Sequence, residues 1–417
     1  MEVIKMEEKK AIKCPLCDKN AKFKDIFFKD RVFASGDVFE FKALKYFGEQ
    51  DYARGNCIMD LKQCCECGYI YNFAFNNDKM MKVYSSDTYY QQKNFTPRLN
   101  ETLLNIKEKI QSHANKEDVF LEIAPGLCDL FLALAKESKF IYSVDPSPMT
   151  SLVNKLENVI HIKDFFNAAK LKRNIKHEIN FIIFRHLLEH IENPRFFLKE
   201  VVEFLKIGGK IYIEVPNTLE IFEYKKFYEL FHDHCGFFQK NTLINIMGDL
   251  GCKLIDEHFL YDEQWIGLFF EKTSENKPTH LSFKIFEEED YFTESIKQLN
   301  NYLSDYKNIA LMGGGIHSNT IIEFITQENL KNIKICFDLN PEKQGRYLQN
   351  SEIQISSTNR CNLEKIDCIL MCMSLHEKKV FENEILDFIK SGLAPNLKAV
   401  ILTAKEIKLI KIEDRNG

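Results

Sequence analysis

An α/β fold built from three regions is predicted by two alternations of apolar strands with helical patterns, and by a cysteine-rich start. The cysteine-rich region covers residues 1–75. Residues 76–273 open with a helical lead-in and then alternate in the manner of a doubly wound parallel sheet. After the polar linker TSENKPTHLS, residues 283–417 repeat the alternation as a second, smaller α/β unit. We therefore expect three domains with these boundaries.

Composition excludes several classes of function. The net charge of the 417-residue chain is −5, so no strong basic field attracts nucleic acid, and we expect no nucleic-acid partner. The first residues lack the apolar segment of a signal peptide, and no run approaches the roughly 20 apolar residues of a membrane span. Thirteen cysteines in such a chain favour free thiols or metal ligands over disulfides. We expect a cytoplasmic protein.

Four cysteines form two metal-binding turns in the pattern CxxC…CxxC. The members are Cys14, Cys17, Cys64 and Cys67. Two such turns supply the four sulfur ligands that tetrahedral Zn²⁺ prefers, and four thiolates leave no open position for catalysis. Cys57 or Cys65 could replace one of these ligands, and free thiols or a redox pair are the alternative to a metal site. We predict a structural zinc in the first domain.

The second region begins with a strand, a glycine-containing turn and a helix, in VFLEIAPGLCDLFLALA. Glu122 ends the strand, and Ala124, Gly126 and Cys128 occupy the positions of a GxGxG loop. In a Rossmann-like unit the backbone approaches a nucleotide cofactor at this turn. Because only one of the three positions is glycine, a purely structural turn explains the loop equally well.

Charged residues at the ends of the next strands favour the cofactor interpretation. Asp145 ends the second strand, where a carboxylate can accept hydrogen bonds from both ribose hydroxyls. Asp164 ends the third strand and suits an adenine amino group. Arg185, at the end of the fourth strand, is a further candidate for cofactor binding. The predicted cofactor-binding residues are Glu122, Ala124, Gly126, Asp145, Asp164 and Arg185.

This region resembles the class I S-adenosylmethionine (SAM) methyltransferases. The strand-end acids, the LEHIENP segment and the LKIGGKIYIEVPN hairpin stand where that fold has them. The resemblance implies a Rossmann-like domain with SAM as its cofactor. A dehydrogenase is the alternative, but it would need a tighter glycine loop and would leave the last two segments unexplained.

Nearly the whole chain resembles the sugar C-methyltransferases that act on nucleotide-linked 4-keto-6-deoxysugars. The resemblance is carried by the cysteine turns, the SAM domain and a C-terminal Rossmann-like domain with GGGIHSNT and DLNPEKQGRY. It implies a nucleotide-sugar substrate, with candidate contacts at Tyr89, Tyr90, Phe231, His317, Asn319, Lys343 and Arg346. The alternatives are a solvated basic turn around Lys343 and Arg346, and a degenerate glycine loop that only packs.

The segment FHDHCGFF resembles the family's catalytic stretch YHEHxxYF. His234 stands at the position of the catalytic base, Asp233 replaces a glutamate, and Phe231 replaces a tyrosine that contacts the sugar. Neutral histidine, with an unperturbed pKa near 6.5, suits proton abstraction. His186 is the alternative base or a substrate contact, and His190 is interpreted as a packing residue. A metal pair formed by the segment's two histidines, or a hydrogen-bonded turn, is the alternative to catalysis.

These observations predict an enzyme that transfers a methyl group from SAM to a nucleotide-activated sugar. Methylation at a carbon beside a keto group, with a histidine base, is the first hypothesis. An O- or N-methyltransferase acting on a sugar or a surface-glycan precursor is the second, because Phe231 lacks the phenol that would hold a keto sugar. A binding or scaffold protein with a decayed methyltransferase domain is the third.

Overall fold

The computed structural model describes residues 12–35, 38–39, 57–84, 97–126, 128–146, 156–275, 277–287, 290–349 and 351–412. Two predicted substrate contacts, Tyr89 and Tyr90, lie outside these residues. Within the described ranges, no helix is long and apolar enough to cross a membrane.

The cysteine-rich region folds mainly as a small antiparallel sheet. Its strands are β1 (Ile12–Lys13), β2 (Asn20–Ala21), β3 (Phe23–Val32), β4 (Val38–Phe39), β5 (Cys57–Cys64) and β6 (Ile70–Asn72). β5 pairs with both β3 and β6, while β1 and β2 form a separate ribbon. Along β5, buried residues alternate with more accessible ones, because one face of the sheet covers a core.

A seven-stranded sheet forms the second region. The strands of this region are β7 (Val119–Ile123), β8 (Phe140–Val144), β9 (Val159–Ile162), β10 (Phe181–Arg185), β11 (Lys210–Pro216), β12 (Gly236–Phe237), β13 (Cys252–Leu260) and β14 (Trp265–Lys272). The sheet has the order β9-β8-β7-β10-β11-β14-β13 and is parallel from β9 to β11. β14 runs antiparallel to both of its neighbours. The strand order reverses between β7 and β10, which is where open α/β sheets bind ligands.

The second region also contains seven α-helices among the described residues, and several of them cover the two faces of its sheet. They are Asn77–Tyr84, Pro97–His113, Asp129–Ala135, Ala168–Asn174, Pro194–Phe204, Thr218–Glu223 and Lys240–Asp249. Successive strand residues enter opposite cores: Leu121 packs on one side and Phe120 on the other. Asparagines begin several helices, as where the side chain of Asn193 accepts a hydrogen bond from the backbone N–H of Phe196. Parallel strands buried on both faces require the continuous apolar runs seen in the sequence.

The C-terminal region is a second α/β sheet. Its strands are β15 (Ile309–Met312), β16 (Ile333–Phe337), β17 (Tyr347–Leu348), β18 (Ile355–Ser356), β19 (Cys368–Met371), β20 (Ala399–Leu402) and β21 (Lys408–Lys411). The order is β18-β16-β15-β19-β20-β21, parallel except for β21. Its helices are Thr293–Leu303, Ile316–Phe324, Gln327–Leu330, Arg360–Leu363 and Glu377–Val380, which continues through a π-helical turn into Leu386–Lys390. The predicted α/β class with two Rossmann-like units is confirmed.

Two pairs of strands join the cysteine-rich region to the other two regions. β12 pairs with β6, so the four-stranded sheet β12-β6-β5-β3 contains a strand that follows FHDHC in the sequence. β17 of the C-terminal region pairs with β4. A single buried cluster contains Phe27, Phe222 and Phe324 from the three regions. The segment with the predicted base is therefore held by the cysteine-rich sheet as well as by its own region.

Candidate active site and zinc centre

The four predicted zinc ligands lie together. The sulfur atoms of Cys14 and Cys67 are 3.8 Å apart, those of Cys17 and Cys64 are 3.9 Å apart, and all four lie within 4.8 Å of one another. Zn–S bonds of about 2.3 Å in a tetrahedron place sulfur atoms about 3.8 Å apart, so the spacing fits zinc. The cluster consists of Cys14, Cys17, Cys64 and Cys67, all buried. Cys57 and Cys65 are not part of it.

The turn after β7 contains three left-handed residues at alternate positions. The φ angles are 53° at Ala124, 55° at Gly126 and 61° at Cys128. A left-handed conformation costs a residue with a side chain roughly 1–2 kcal/mol, which is why such loops favour glycine. The backbone thus follows the course expected of a glycine-rich cofactor loop although two of the three positions are not glycine.

Glu122 is buried beside this turn. It is 2% exposed, and its Oε2 atom makes no hydrogen bond within the described part of the chain. Burial raises the pKa of Glu122 to about 8, against the opposing charge of Arg185. Asp145, 5% exposed, comes directly after β8, the neighbouring strand. An orphaned carboxylate oxygen and a second acid at the carboxyl edge of the sheet fit a cofactor with a cationic group and ribose hydroxyls.

Two other predicted cofactor contacts have protein partners. The carboxylate of Asp164 lies 3.1 Å from the Nζ of Lys170 at the surface, and this partner lowers its pKa. Arg185 donates from Nε to Glu214 Oε1 at 3.1 Å, on the neighbouring strand. Burial opposes ionisation of Glu214, but the charge of Arg185 holds its pKa at about 2. Cofactor binding by Asp164 and Arg185 stays a prediction.

Asp233 is the centre of a buried hydrogen-bond network. One carboxylate oxygen accepts a hydrogen bond from the hydroxyl of Tyr84 and lies 2.9 Å from Nδ1 of His190. The other accepts from the hydroxyl of Ser35. Burial alone would raise the pKa of Asp233, but His190 and the two hydroxyls hold it at about 2. In return Asp233 overcomes the burial of His190 and raises the pKa of that imidazole to about 9.

His234 lies beside the Asp233–His190 pair, and its imidazole is neutral whereas that of His190 is cationic. Its ring centroid is 4.9 Å from that of His190 and 4.1 Å from that of Phe231, and the residue is 9% exposed. Burial and the charge of His190 lower the pKa of His234 to about 4. Asp233 therefore orients His190 rather than His234. A cationic and a neutral imidazole stand side by side, and environments that separate two pKa values in this way suit an acid and a base.

The other histidine of the segment has a structural environment. His232 is 1% exposed and its Nε2 accepts a hydrogen bond from the backbone N–H of Asn76 at 3.0 Å. Its Nδ1 lies 2.9 Å from the carbonyl oxygen of Ile58. Both ring nitrogens are thus occupied, and the two histidines of FHDHC do not form a metal pair.

His186 lies between two buried acids. Its Nε2 is 3.1 Å from Oε1 of Glu214, outside hydrogen-bonding alignment, and its Nδ1 is 3.4 Å from Oε1 of Glu189. Burial disfavours the charged ring, but these two acids raise the pKa of His186 to about 9. The ring also meets the edge of Trp265 at 4.3 Å between centroids. A histidine held cationic by two carboxylates is a poor base, so this geometry favours His234 over His186.

Most predicted C-terminal substrate contacts are engaged within the protein. His317 lies 3.0 Å from Glu229 through Nε2 and Oε1, linking the C-terminal helix Ile316–Phe324 to the second region. The side chain of Asn319 accepts from the backbone N–H of Gln349. Lys343 is buried and donates to the carbonyl oxygen of Gly314 at 2.8 Å.

In the glycine turn Gly313–Gly315 of the C-terminal region, a backbone N–H group also has a partner within the protein. Asp338, the acid after β16, accepts a hydrogen bond from the backbone N–H of Gly314 at 2.7 Å. Arg346 is half-buried in the turn after this acid. Internal hydrogen bonds of this kind suit a packing role, and substrate binding by His317, Asn319, Lys343 and Arg346 stays a prediction.

Sequence reasoning missed three members of the site. The sequence indicates a packing role for His190 and gives no sign of Ser35 or Tyr84. The LEH triplet, which forms the 3-10 turn Leu188–His190, was a usable signal because it follows a strand at the sheet edge. Ser35 and Tyr84 carry no local signal, since each reaches Asp233 from a distant part of the chain.

A match to a family model supports the methyltransferase assignment of the second region. Residues 94–257 match a family model described as a methyltransferase domain. A search of curated protein sequences found no match. Among solved structures, the chain is similar to magnesium protoporphyrin IX methyltransferase from Synechocystis PCC 6803, at 13% identity and a TM-score of 0.37, covering 48% of this chain and 100% of that one. It is also similar to the N-methyltransferase NodS from Bradyrhizobium japonicum WM9, at 13% identity and a TM-score of 0.37, covering 47% and 98%.

Proposed function

We propose that this SAM-dependent methyltransferase acts on a nucleotide-activated keto-deoxysugar and methylates a carbon beside the keto group. The observation that carries the proposal is the pairing of His190 with Asp233 next to His234 at the carboxyl edge of the sheet. A reaction at such a carbon needs one group to take a proton and a second to stabilise the oxygen anion. The two imidazoles supply both.

SAM supplies an electrophilic methyl group on a sulfonium. Glu122, Gly126 and Asp145 would hold it at the ends of β7 and β8. Positioning donor and acceptor in line at about 3 Å supplies much of the rate of such a transfer. The orphaned Oε2 of Glu122 supports this arrangement, since a buried acceptor without a hydrogen bond matches a donor group on the ligand.

The proposed reaction begins with loss of a proton from the sugar carbon beside the keto group. His234 takes the proton from the sugar carbon, and the electron pair of that C–H bond becomes the enolate. His190, held in its cationic form by Asp233, donates a hydrogen bond to the enolate oxygen. The enolate carbon then forms a bond to the methyl group as the S–CH₃ bond breaks, and S-adenosylhomocysteine leaves. The proton on His234 is returned to solvent.

The test compares two histidine variants. We expect His234→Ala to reduce methyl transfer about 10²–10⁴-fold, the usual worth of a general base, with SAM affinity within twofold of wild type. His186→Ala changes the alternative base and is the control, and it should retain far more of the methyl-transfer activity. Activity that survives in the first variant and disappears in the second would identify His186 as the base instead.

O- or N-methylation is the second candidate function, and the environment of Phe231 favours it. The Phe231 ring packs on His234 without a hydroxyl to hold a keto oxygen.

Deuterium exchange distinguishes C-methylation from O- or N-methylation. In D₂O without SAM, a C-methyltransferase should incorporate deuterium at the carbon beside the ketone, whereas an O- or N-methyltransferase should not. If calorimetry detects no binding of SAM or S-adenosylhomocysteine, both methyltransferase hypotheses are wrong, and a scaffold protein with a decayed methyltransferase domain is favoured.

We also propose that the cysteine cluster holds a structural zinc. The four sulfur atoms have tetrahedral spacing and are buried. A site closed by four thiolates cannot bind substrate, so its effect on activity is indirect. That effect passes through β6, which pairs with β12 directly after the FHDHC segment.

A further inference from the structure

We propose that Glu189, His190 and His234 form a second site for a divalent transition-metal ion, separate from the cysteine cluster. One ligand atom from each residue lies within 4.8 Å of the other two. Three ligand atoms each about 2.1 Å from a metal ion are roughly 3.4 Å apart, so modest side-chain rotations would complete the site. Two imidazoles and one carboxylate suit Zn²⁺, Co²⁺, Ni²⁺ or Fe²⁺ far better than Mg²⁺ or Ca²⁺.

The carboxylate of Glu189 is the independent observation that points to a ligand. Glu189 is 1% exposed, and neither of its oxygens makes a hydrogen bond within the described ranges. Its one ion-pair partner among the described residues is His186, whose Nδ1 lies 3.4 Å from Oε1, and this contact is not aligned as a hydrogen bond. Leaving a buried carboxylate without hydrogen bonds costs stability, so such groups commonly serve a bound ion or a ligand.

The surroundings of His190 match those of a metal-binding imidazole. Its Nδ1 lies 2.9 Å from Oδ1 of Asp233, which leaves Nε2 as the coordinating nitrogen. Metal-ligating histidines usually donate their other N–H to a carboxylate in this way, because the hydrogen bond fixes the ring and makes it a stronger ligand. Tyr84 and Ser35 in turn hold Asp233.

The metal and the proposed base reaction use the same atoms. A bound ion would occupy the lone pair of His234 that would otherwise take the substrate proton. The same ion would replace the proton on His190. Three protein ligands leave at least one position open, which a sugar oxygen or water can fill. The ion should therefore inhibit methyl transfer, and this last consequence rests on the proposed function, whereas the binding site itself does not.

The test uses cobalt as a spectroscopic probe on the full chain with its cysteine site already filled by zinc. We expect one additional Co²⁺ per chain, with d–d absorption and without the thiolate charge-transfer bands that a cysteine site would give. His234→Ala and Glu189→Gln should each abolish this absorption and keep one zinc per chain. Asp233→Asn should weaken cobalt binding about 10–100-fold, as for other carboxylates behind a ligating histidine. His177→Gln, a histidine outside the cluster, is the matched control and should bind like wild type.

Two results would overturn the proposal. One is wild-type protein that takes up no cobalt beyond its zinc, and the other is cobalt absorption that persists in both ligand variants. Circular dichroism of each variant, with its zinc content, shows that lost absorption is not lost folding. If cobalt binds as expected while deuterium exchange fails, the metal site stands and the proposed function fails.

Discussion

Glu122→Gln should change how the stability of the SAM domain depends on pH. The pKa of Glu122 is raised from 4.5 to about 8, and burial is the main cause. The unfolded chain therefore gives up this proton at lower pH than the folded protein does. Folding stability contributed by the protonated form is complete below pH 4.5 and is lost progressively as pH rises toward 8.

The size of this stability change follows from the difference between the pKa values of Glu122 in the unfolded and folded states. Each pH unit within this window is worth about 1.4 kcal/mol, so ionisation of Glu122 lowers stability by about 3 kcal/mol between pH 4.5 and 7. Glutamine has nearly the same shape and does not ionise. Its amide has its own hydrogen-bonding cost, but that cost does not change with pH. The stability of the variant minus that of wild type should therefore rise by about 1.4 kcal/mol per pH unit.

Urea unfolding between pH 5 and 7.5 measures this difference. The protein has a single tryptophan, Trp265, which lies in β14 of the same sheet, so its fluorescence reports unfolding of this domain. Glu117→Gln, which changes a side chain that is 79% exposed, is the control and should give a pH profile parallel to wild type. Parallel profiles for Glu122→Gln and wild type would refute the inference that Glu122 is a buried, orphaned acid.

Three further changes test other parts of the structure. Cys64→Ser should remove the zinc and lower the melting temperature, as atomic emission and calorimetry would show; a variant that retains one zinc per chain contradicts the four-cysteine site. Gly236→Ala places a Cβ atom 2.2 Å from the hydroxyl of Tyr69, and overpacking should cost about 1–3 kcal/mol; an unchanged urea midpoint would refute this close contact. Ala124→Gly should be neutral or stabilising by up to about 1 kcal/mol, since glycine relieves the left-handed strain at a smaller entropic cost; a clear loss of stability contradicts the φ angle of 53°.

Local patterns in the sequence predicted much of this molecule correctly. The spacing of four cysteines predicted a cluster that the fold assembles, because each CxxC turn brings its own two sulfur atoms together. Apolar runs alternating with helical patterns predicted both sheets, since strands buried on two faces must be continuously apolar. The strand–turn–helix pattern around Glu122 predicted a turn at the end of β7, and the structure has a turn there, with left-handed φ angles at Ala124, Gly126 and Cys128.

The tertiary structure alone decided which groups act on one another. Asp233 precedes His234 in the chain but bonds to His190, and this contact raises the pKa of His190. Burial, together with the charge of His190, lowers the pKa of His234. Ser35 reaches Asp233 from the cysteine-rich region. Such contacts join residues far apart in the chain, and periodicity reports only on neighbours along it.

The sequence by itself determined the fold class, the four-cysteine cluster and the histidine-containing segment that follows the parallel strands of the seven-stranded sheet. Only the tertiary structure decided the charge states in that segment and the burial of the Glu189 carboxylate without a hydrogen bond among the described residues. The physical reason is that charge state depends on burial and on the sign of the nearest neighbours in space. The same two imidazoles can serve as an acid and a base or as metal ligands, and their three-dimensional surroundings determine which uses are open.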